Sequence, residues 1–166
     1  MIVAGGQTGV DRAALDWAIR EGIPHGGWCP RGRRSEDGPI PARYQLRETQ
    51  GTQYAQRTAW NVRDTDGTVI FTIEPHLRGG TKRTMEFVRE YRKPWLRLNR
   101  TLSVEDCAGR LRDFLVEHRV SVLNVAGSRA SEEHEAGAFA IDVLTALKGL
   151  LQPPMELATD WPDAPR

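Results

Sequence analysis

Met1-Ile2-Val3-Ala4-Gly5-Gly6-Gln7-Thr8-Gly9-Val10-Asp11-Arg12 opens the chain with a short apolar run, two adjacent glycines, a third glycine and the start of a helical pattern. Ile2, Val3 and Ala4 suit a buried strand. From Asp11 onward Ala14, Trp17 and Ala18 recur at helical spacing. Glycines between a strand and a helix let the backbone turn sharply and let another group come close to it. The helix's first-turn N–H groups and its dipole then make the bend an anion site. Ala4-x-Gly6-x-x-Gly9 is a loose form of the dinucleotide fingerprint with alanine in first place. A tight structural turn needs the same small residues, so both readings stay open.

Outward from this stretch the pattern alternates. Gly22 and Pro24 stop the first helix, and a short second strand is expected over His25 to Cys29. Residues 30–52, rich in proline, glycine and charge, read as a long irregular loop, which in a compact domain is usually functional or disordered. A helix is expected over 52–64. Gly67-Thr68-Val69-Ile70-Phe71-Thr72-Ile73 reads as a strand apolar on both faces, as when helices cover both sides of a sheet. Gly79-Gly80-Thr81 opens a helix that Pro94 ends, and Trp95 to Leu98 forms a fourth strand. Ser103 caps a helix with Asp106 three residues on and a stripe of Val104, Ala108, Leu111 and Leu115. Residues 120–126 form a fifth strand, and Gly127-Ser128-Arg129 turns into a last helix striped by Phe139, Ala140, Val143, Leu144 and Leu147. Five strands each followed by a helix predict an α/β, doubly wound parallel sheet with right-handed crossovers. Residues 1–152 are read as one domain, with a proline-rich tail over 153–166.

Composition limits the function. A net charge of +1 over 166 residues, 27% of them charged, supplies no bulk attraction to DNA or to anionic lipid. No apolar run reaches the length of a membrane span. No charged region precedes an apolar one at the N-terminus, so the cytoplasm is the expected compartment. Cys29 and Cys107 fit reduced thiols, and the histidines at 25, 76, 118 and 134 show no metal-ligand spacing, so no metal site is expected.

In a doubly wound sheet, ligands sit beyond the carboxyl ends of the strands. The loops there are Gly5 to Gly9, Trp28 to Glu36, Glu74 to Thr81, Asn99-Arg100 and Gly127 to Arg129. They carry Arg31, Arg33, Arg34, Arg78 and Arg129, whose planar forks suit phosphate and carboxylate. Together with two glycine turns into helices they point to an anionic ligand, most simply a phosphorylated small molecule. Arginines on solvated loops are the plainer alternative. The candidate binding residues are Gly5, Gly6, Gln7, Thr8, Gly9, Asp11, Arg12, Trp28, Arg31, Arg33, Arg34, Gly79, Gly80, Thr81, Lys82, Gly127 and Arg129. Asp11, Glu36, Asp37, Glu74 and Glu86 are available for acid/base chemistry, although acids near helix starts also simply satisfy the dipole. Gly79-Gly80-Thr81-Lys82 has the wrong spacing for a Walker loop, and Cys29-Pro30-Arg31 stands where an NAD site needs an acid. No serine elbow or supported cysteine–histidine pair is present for acyl-enzyme chemistry. The loop from Arg31 to Pro41 is expected to close over the ligand.

Residues 5–16, Gly22-Ile23-Pro24-His25-Gly26-Gly27-Trp28-Cys29-Pro30 and Glu36-Asp37-Gly38-Pro39-Ile40-Pro41 closely resemble the molybdenum carrier family, also described as circularly permuted YpsA-like. Tyr54-Ala55-Gln56-Arg57-Thr58, Trp60-Asn61-Val62-Arg63-Asp64, Asp66-Gly67-Thr68, Gly79-Gly80-Thr81 and Val122-Leu123-Asn124-Val125-Ala126-Gly127 continue the match to about residue 128. The resemblance implies a Rossmann-like fold of the group that holds the "lonely guy" phosphoribohydrolases and DNA-processing protein A. Members bind nucleotides or nucleotide-like ligands at two glycine-rich loops, here Gly5 to Gly9 and Gly79 to Thr81. The family label comes from similarity to an algal carrier of the molybdenum cofactor, a phosphate-bearing pterin. That cofactor or a nucleotide is therefore the implied ligand, and association through helices flanking the sheet implies a homo-oligomer, with the stripes of the last two helices as candidate surfaces.

One departure separates fold from chemistry. The phosphoribohydrolases carry Gly-Gly-x-Gly-Thr-x-x-Glu at the second loop; here Lys82 and Arg83 replace the third glycine and the threonine, while Gly79, Gly80 and Glu86 keep the spacing. Two functions follow from the resemblance. One is a carrier or sensor that binds a phosphorylated nucleotide-like or pterin ligand. The other is a hydrolase cleaving the N-glycosidic bond of a nucleoside monophosphate, with Glu86 as its catalytic carboxylate and Arg34 or Arg129 holding the phosphate. Nucleic acid is not an expected partner, because no phosphate-tracking surface is visible.

Overall fold

The computed structural model describes residues 1–76 and 79–151. Arg78 and the tail over 153–166 lie outside the described residues. The apolar run at the N-terminus forms β1 (Ile2–Val3) and passes through the glycine turn into α1 (Val10–Arg20). The expected strand at 25–29 is two short ones, β2 (His25–Gly26) and β3 (Trp28–Cys29). Gly27 between them adopts φ 136°, so only β2 stays in the main sheet, while β3 turns away to pair with β6 (Arg47–Glu48). The stretch read as irregular also contains a hairpin of β4 (Arg34–Ser35) and β5 (Gly38–Pro39). Then follow α2 (Tyr54–Arg63), β7 (Gly67–Thr72), α3 (Gly79–Glu90), β8 (Trp95–Asn99), α4 (Val104–Glu117), β9 (Leu123–Gly127) and α5 (Ala136–Leu151). The Ser103 hydroxyl caps α4 by accepting from the Asp106 N–H at 3.0 Å, as its spacing predicts. The last helix starts later than its sequence suggests. Residues 128–135 form turns, in which the Glu133 carboxylate accepts the N–H groups of Ile73 and Glu74 at 2.8 and 2.9 Å.

The five long-range strands form one parallel sheet in the order β2-β1-β9-β7-β8. The chain's last strand thus lies at the centre, between its first and its third. Taking β9 as first strand turns this into the familiar doubly wound order 3-2-1-4-5. The protein is that Rossmann-like sheet with its central strand moved to the chain's end.

Helices α1, α4 and α5 cover one face. Trp17, Leu111, Phe139, Val143 and Leu144 pack there on Val69, Phe71, Leu98, Leu123 and Val125. On the other face Ile70 packs with Val62 of α2 and with Met85 and Val88 of α3. Val69 and Phe71 point one way and Ile70 the other, the period of two that a strand covered on both sides requires. The apolar stripes of α4 and α5, candidates for an oligomer surface, are consumed in this core: Ala108, Leu111, Val143 and Leu144 are all fully buried. A third cluster, Ala4, Leu15, Cys29, Ile40 and Tyr44, fastens the 30–46 excursion against the sheet edge. Cys29 and Cys107 are free thiols, and burial pushes both up from their ordinary values.

Gly127 tests this packing. A Cβ there would stand 2.3 Å from the Phe71 carbonyl oxygen and 2.5 Å from Val10 Cγ2. Gly127→Ala is expected to lower stability by about 1–3 kcal/mol through overpacking. Gly149→Ala, on α5 with nothing within 4 Å of the new methyl, is expected to gain up to about 1 kcal/mol from helix propensity. Urea unfolding of both variants checks the pair, and equal effects would contradict the packing described.

Candidate ligand-binding site

The chain leaves β9 toward α5 on one face of the sheet and leaves β7 toward α3 on the other. Beyond the carboxyl ends of these neighbouring strands lies the switch point where a doubly wound sheet opens. A small cavity of about 30 Å³ sits there, lined by Gln7, Asp11, Arg57, Thr58, Gly80, Thr84, Ala126, Gly127, Arg129 and Glu132. It shares Arg57, Thr58, Gly80 and Arg129 with an open groove of about 350 Å³, whose walls also include Gln53, Tyr54, Gly79 and Arg83. The cavity is thus the floor of the groove, and the groove runs between the amino ends of α2 and α3.

Arg57 reaches across the end of the sheet from α2 to α1. Its guanidinium lies on the Gly5 backbone so closely that a Cβ on Gly5 would be 1.8 Å from Nη1. This is the close approach that the Gly5 position serves. Nη1 donates to Asp11 Oδ2 at 3.0 Å, with the two side chains only 13% and 5% exposed. The Asp11 carboxyl is pushed above its ordinary value by burial, which outweighs the opposing pull of Arg57 and the Gln7 N–H. Arg57 Nε, buried, has no hydrogen-bond partner among the described residues.

Gln7 is 5% exposed, and its Oε1 accepts the N–H groups of Thr8 and Glu36, both at 3.0 Å. Two donors on that side fix which end of the amide is oxygen. Nε2 is left buried beside the cavity without a partner. A buried unsatisfied donor costs about 1–3 kcal/mol, so Gln7 calls for an acceptor.

Several amides of the first glycine loop and of the first turn of α1 are engaged within the protein. Val10 N–H donates to the Ser128 carbonyl at 3.2 Å, Arg12 N–H to Gln7 and Ala13 N–H to Gly9, both at 3.1 Å, and Gln7 N–H to Asp11 Oδ2 at 3.3 Å. Gly6 packs beneath Ile40 and Leu46.

The excursion expected to close over a ligand is held down. Arg12 grips both oxygens of Asp37 at 2.6 and 2.7 Å and also donates to Ser35 Oγ and the Gly6 carbonyl. Those bonds hold the Asp37 carboxyl down to about 2. Glu36 accepts from Thr8 Oγ1, from Ser131 Oγ at 2.6 Å and from Ser131 N–H at 3.3 Å. Burial raises its carboxyl, but these bonds and Arg129 bring it below the usual range. Arg33, read as an anion binder, instead donates to the carbonyls of Ile40, Pro41, Tyr44 and Leu46 and staples the excursion to itself.

The fold therefore brings Gln7, Asp11, Gly79, Gly80, Gly127 and Arg129 together and separates the rest. Gly5, Thr8 and Gly9 support the site from beneath. Thr81 is buried in α3, while Arg31 and Arg34 stand exposed on the excursion. Lys82 and Glu86 line an outer hollow on α3, where Glu86 is half exposed and 3.5 Å from Arg83. Trp28 belongs to a separate hollow with His25, Arg47 and Asp64, its indole N–H donating to Asp64 at 2.8 Å. Sequence reasoning missed Tyr54, Arg57, Thr58 and Glu132, which sit on α2 and before α5. Only the run Tyr54 to Thr58 in the family resemblance touched them, and it carried no role.

The model of the "circularly permutated YpsA SLOG family" matches residues 2–148. The chain belongs to this family. A crystal structure titled "putative molybdenum carrier protein", from Syntrophus aciditrophicus SB, is 44% identical and superposes with a TM-score of 0.86, over 88% of this chain and 92% of that one. None of the curated proteins matches this chain. The match to the family over the whole α/β unit agrees with the permuted strand order. Among the described residues no helix is long and apolar enough to cross a membrane.

Two outcomes check the site. Arg57→Met leaves Asp11 buried and unpaired, and a loss of about 3–5 kcal/mol is expected. Burial then acts on Asp11 against the backbone N–H bonds alone, so the folded variant keeps a proton that the unfolded chain releases above about 3.8. Its deficit in urea unfolding is therefore largest near neutral pH and shrinks as pH falls toward 3; a pH-independent deficit would argue against a buried charge. For the excursion, the lowered Asp37 carboxyl contributes stability above its ordinary value of 3.8 that is lost as pH falls through about 2. Amide exchange over 31–41, corrected for intrinsic rates, should rise between those pH values before the sheet opens, and protection that persists to pH 2 would show the clamp to be unimportant.

Proposed function

We propose that this protein binds, without turning it over, a phosphorylated ligand with a flat ring, nucleotide-like or pterin, in the groove between α2 and α3. The observation that carries this reading is the groove's lining: Arg57, Arg83 and Arg129 beside the Tyr54 ring, with no carboxylate among its described lining residues. About 350 Å³ is room for one small molecule. The Arg129 guanidinium is 5.7 Å from the Tyr54 ring centroid. Its approaches to Glu36 and Glu132, 3.8 and 3.5 Å, are too long for good hydrogen bonds, as is the 3.5 Å between Arg83 and Glu86. The donors of both arginines remain available to a phosphate, while Tyr54 offers a face for a ring to stack on.

The molybdenum label of the Syntrophus relative suits this reading through the organic part of such a cofactor. A pterin would lie against Tyr54 and its phosphate against Arg83 and Arg129. Among the described residues no group of three or more His, Cys, Asp or Glu gathers as for a metal ion. Glycosidic cleavage finds less support, because the carboxylate assigned to it, Glu86, lines the outer hollow rather than the groove.

Calorimetric titration with GMP, beside an assay for base release, tests the proposal. Tyr54→Ala and Arg129→Ala should each weaken binding by about 1–3 kcal/mol, the range of a stacked base or a charge-assisted hydrogen bond. Glu86→Gln should leave affinity within about twofold, as expected for a surface pair of little energetic weight. Release of guanine by the native protein, or affinity indifferent to Tyr54 and Arg129, would defeat it.

A further inference from the structure

The groove and its floor differ in charge. Arg57, Arg83 and Arg129 line the groove, but in the cavity below Arg57 and Arg129 are matched by Asp11 and Glu132. A phosphate pushed into that floor would meet two carboxylates. Yet the floor holds buried donors with no acceptor, Gln7 Nε2 and Arg57 Nε. The oxygen it lacks is therefore that of a neutral group. Beside them Glu132 offers an acceptor: its side chain is 30% exposed, and its Oε1 lies over the Gly79 backbone, 2.6 Å from where a Cβ would stand.

We infer that the cavity reads the lactam edge of the ligand's ring, an adjacent C=O and N–H, with Gln7 Nε2 donating to the carbonyl and Glu132 accepting from the N–H. The inference rests on the groove reading above and narrows it to rings such as guanine, hypoxanthine or a pterin. The Gln7 amide cannot reverse its ends without setting two N–H donors, from Thr8 and Glu36, against its own NH₂. The donor is thus preset before ligand arrives. Adenine presents the opposite pattern, an amine where the floor has donors and a lone pair where it has a carboxylate. A site built to satisfy hydrogen-bonding groups discriminates strongly against a partner that leaves them unpaired. About 30 Å³ accepts such an edge while the rest of the ring lies in the groove against Tyr54.

The test is calorimetry on the native chain with GMP, IMP, AMP and neopterin monophosphate, with pyrophosphate as an anion lacking a ring. GMP and IMP should bind about tenfold or more tightly than AMP. The comparison of GMP with neopterin monophosphate then tells a purine from a pterin as the better-fitting ring. Gln7→Glu turns the unpartnered donor into an acceptor, and Glu132→Gln removes the charged acceptor from a partly exposed site. Each should cut the IMP-to-AMP ratio to about threefold or less while pyrophosphate affinity changes little. AMP binding as tightly as IMP to the native protein overturns the lactam assignment and leaves the groove reading standing. Binding of pyrophosphate but of no ring-bearing phosphate overturns it as well. Binding of none of these probes overturns both.

Discussion

The pair formed by Arg57 and Asp11 spans the end of the sheet, and the site depends on it. One member comes from a helix on each face, so the contact joins the two layers where no strand continues between them. Removing two charges from water costs several kcal/mol per ion before any attraction is counted. The arrangement persists because Arg57 is supported by the Gly5 backbone and Asp11 by the N–H of Gln7. Burial still leaves the carboxyl with a raised proton affinity. A contact of this kind is sensitive: either partner alone is worse than neither. Its position means that local stability and the shape of the cavity floor are set by the same atoms.

Around that pair, groups whose hydrogen bonds are spent are set apart from groups with donors to spare. The turn into α1, where the N–H groups of Gln7, Val10, Arg12 and Ala13 are engaged by Asp11, Ser128, Gln7 and Gly9, is part of the frame. Arg12 and Arg33, which look like anion binders on the page, are hydrogen-bond hubs for a long excursion that would otherwise have little to hold it. Arg33 alone supplies donors to four carbonyls. The groups with capacity to spare lie across the opening: Gln7, Arg57, Arg83 and Arg129. An arginine's function follows from whether its five donors are already spent, which depends on where the chain returns rather than on the loop that bears it.

The permuted order has a structural consequence as well. Because β9 closes the sheet at its centre, its carboxyl end at Ala126 and Gly127 is pressed between Val10 of α1 and the Phe71 carbonyl. The cavity floor is assembled from the beginning and the end of the chain. Gln7 and Asp11 come from the first turn and Gly127, Arg129 and Glu132 from the last, with Arg57, Thr58, Gly80 and Thr84 between them.

The sequence by itself determined the class of fold and most of its elements. The unbroken apolar run Val69-Ile70-Phe71, helical stripes such as Leu111 with Leu115, and the Ser103 cap are local signals, set by backbone geometry within a few residues. The family was legible because its motifs are contiguous runs. Only the tertiary structure decided the strand order, since nothing in β9 marks it as central rather than peripheral. It also decided which charges meet: Arg57 sits in a helix whose residues carry no role legible in the sequence, and Glu132 lies in a turn mistaken for the start of a helix. Pairing across 46 residues, as between Asp11 and Arg57, leaves no periodic trace, because it is produced by the meeting of two layers and not by either segment. The unsatisfied amide of Gln7 is legible only when its neighbours are in place, for an unpaired donor is a property of its surroundings.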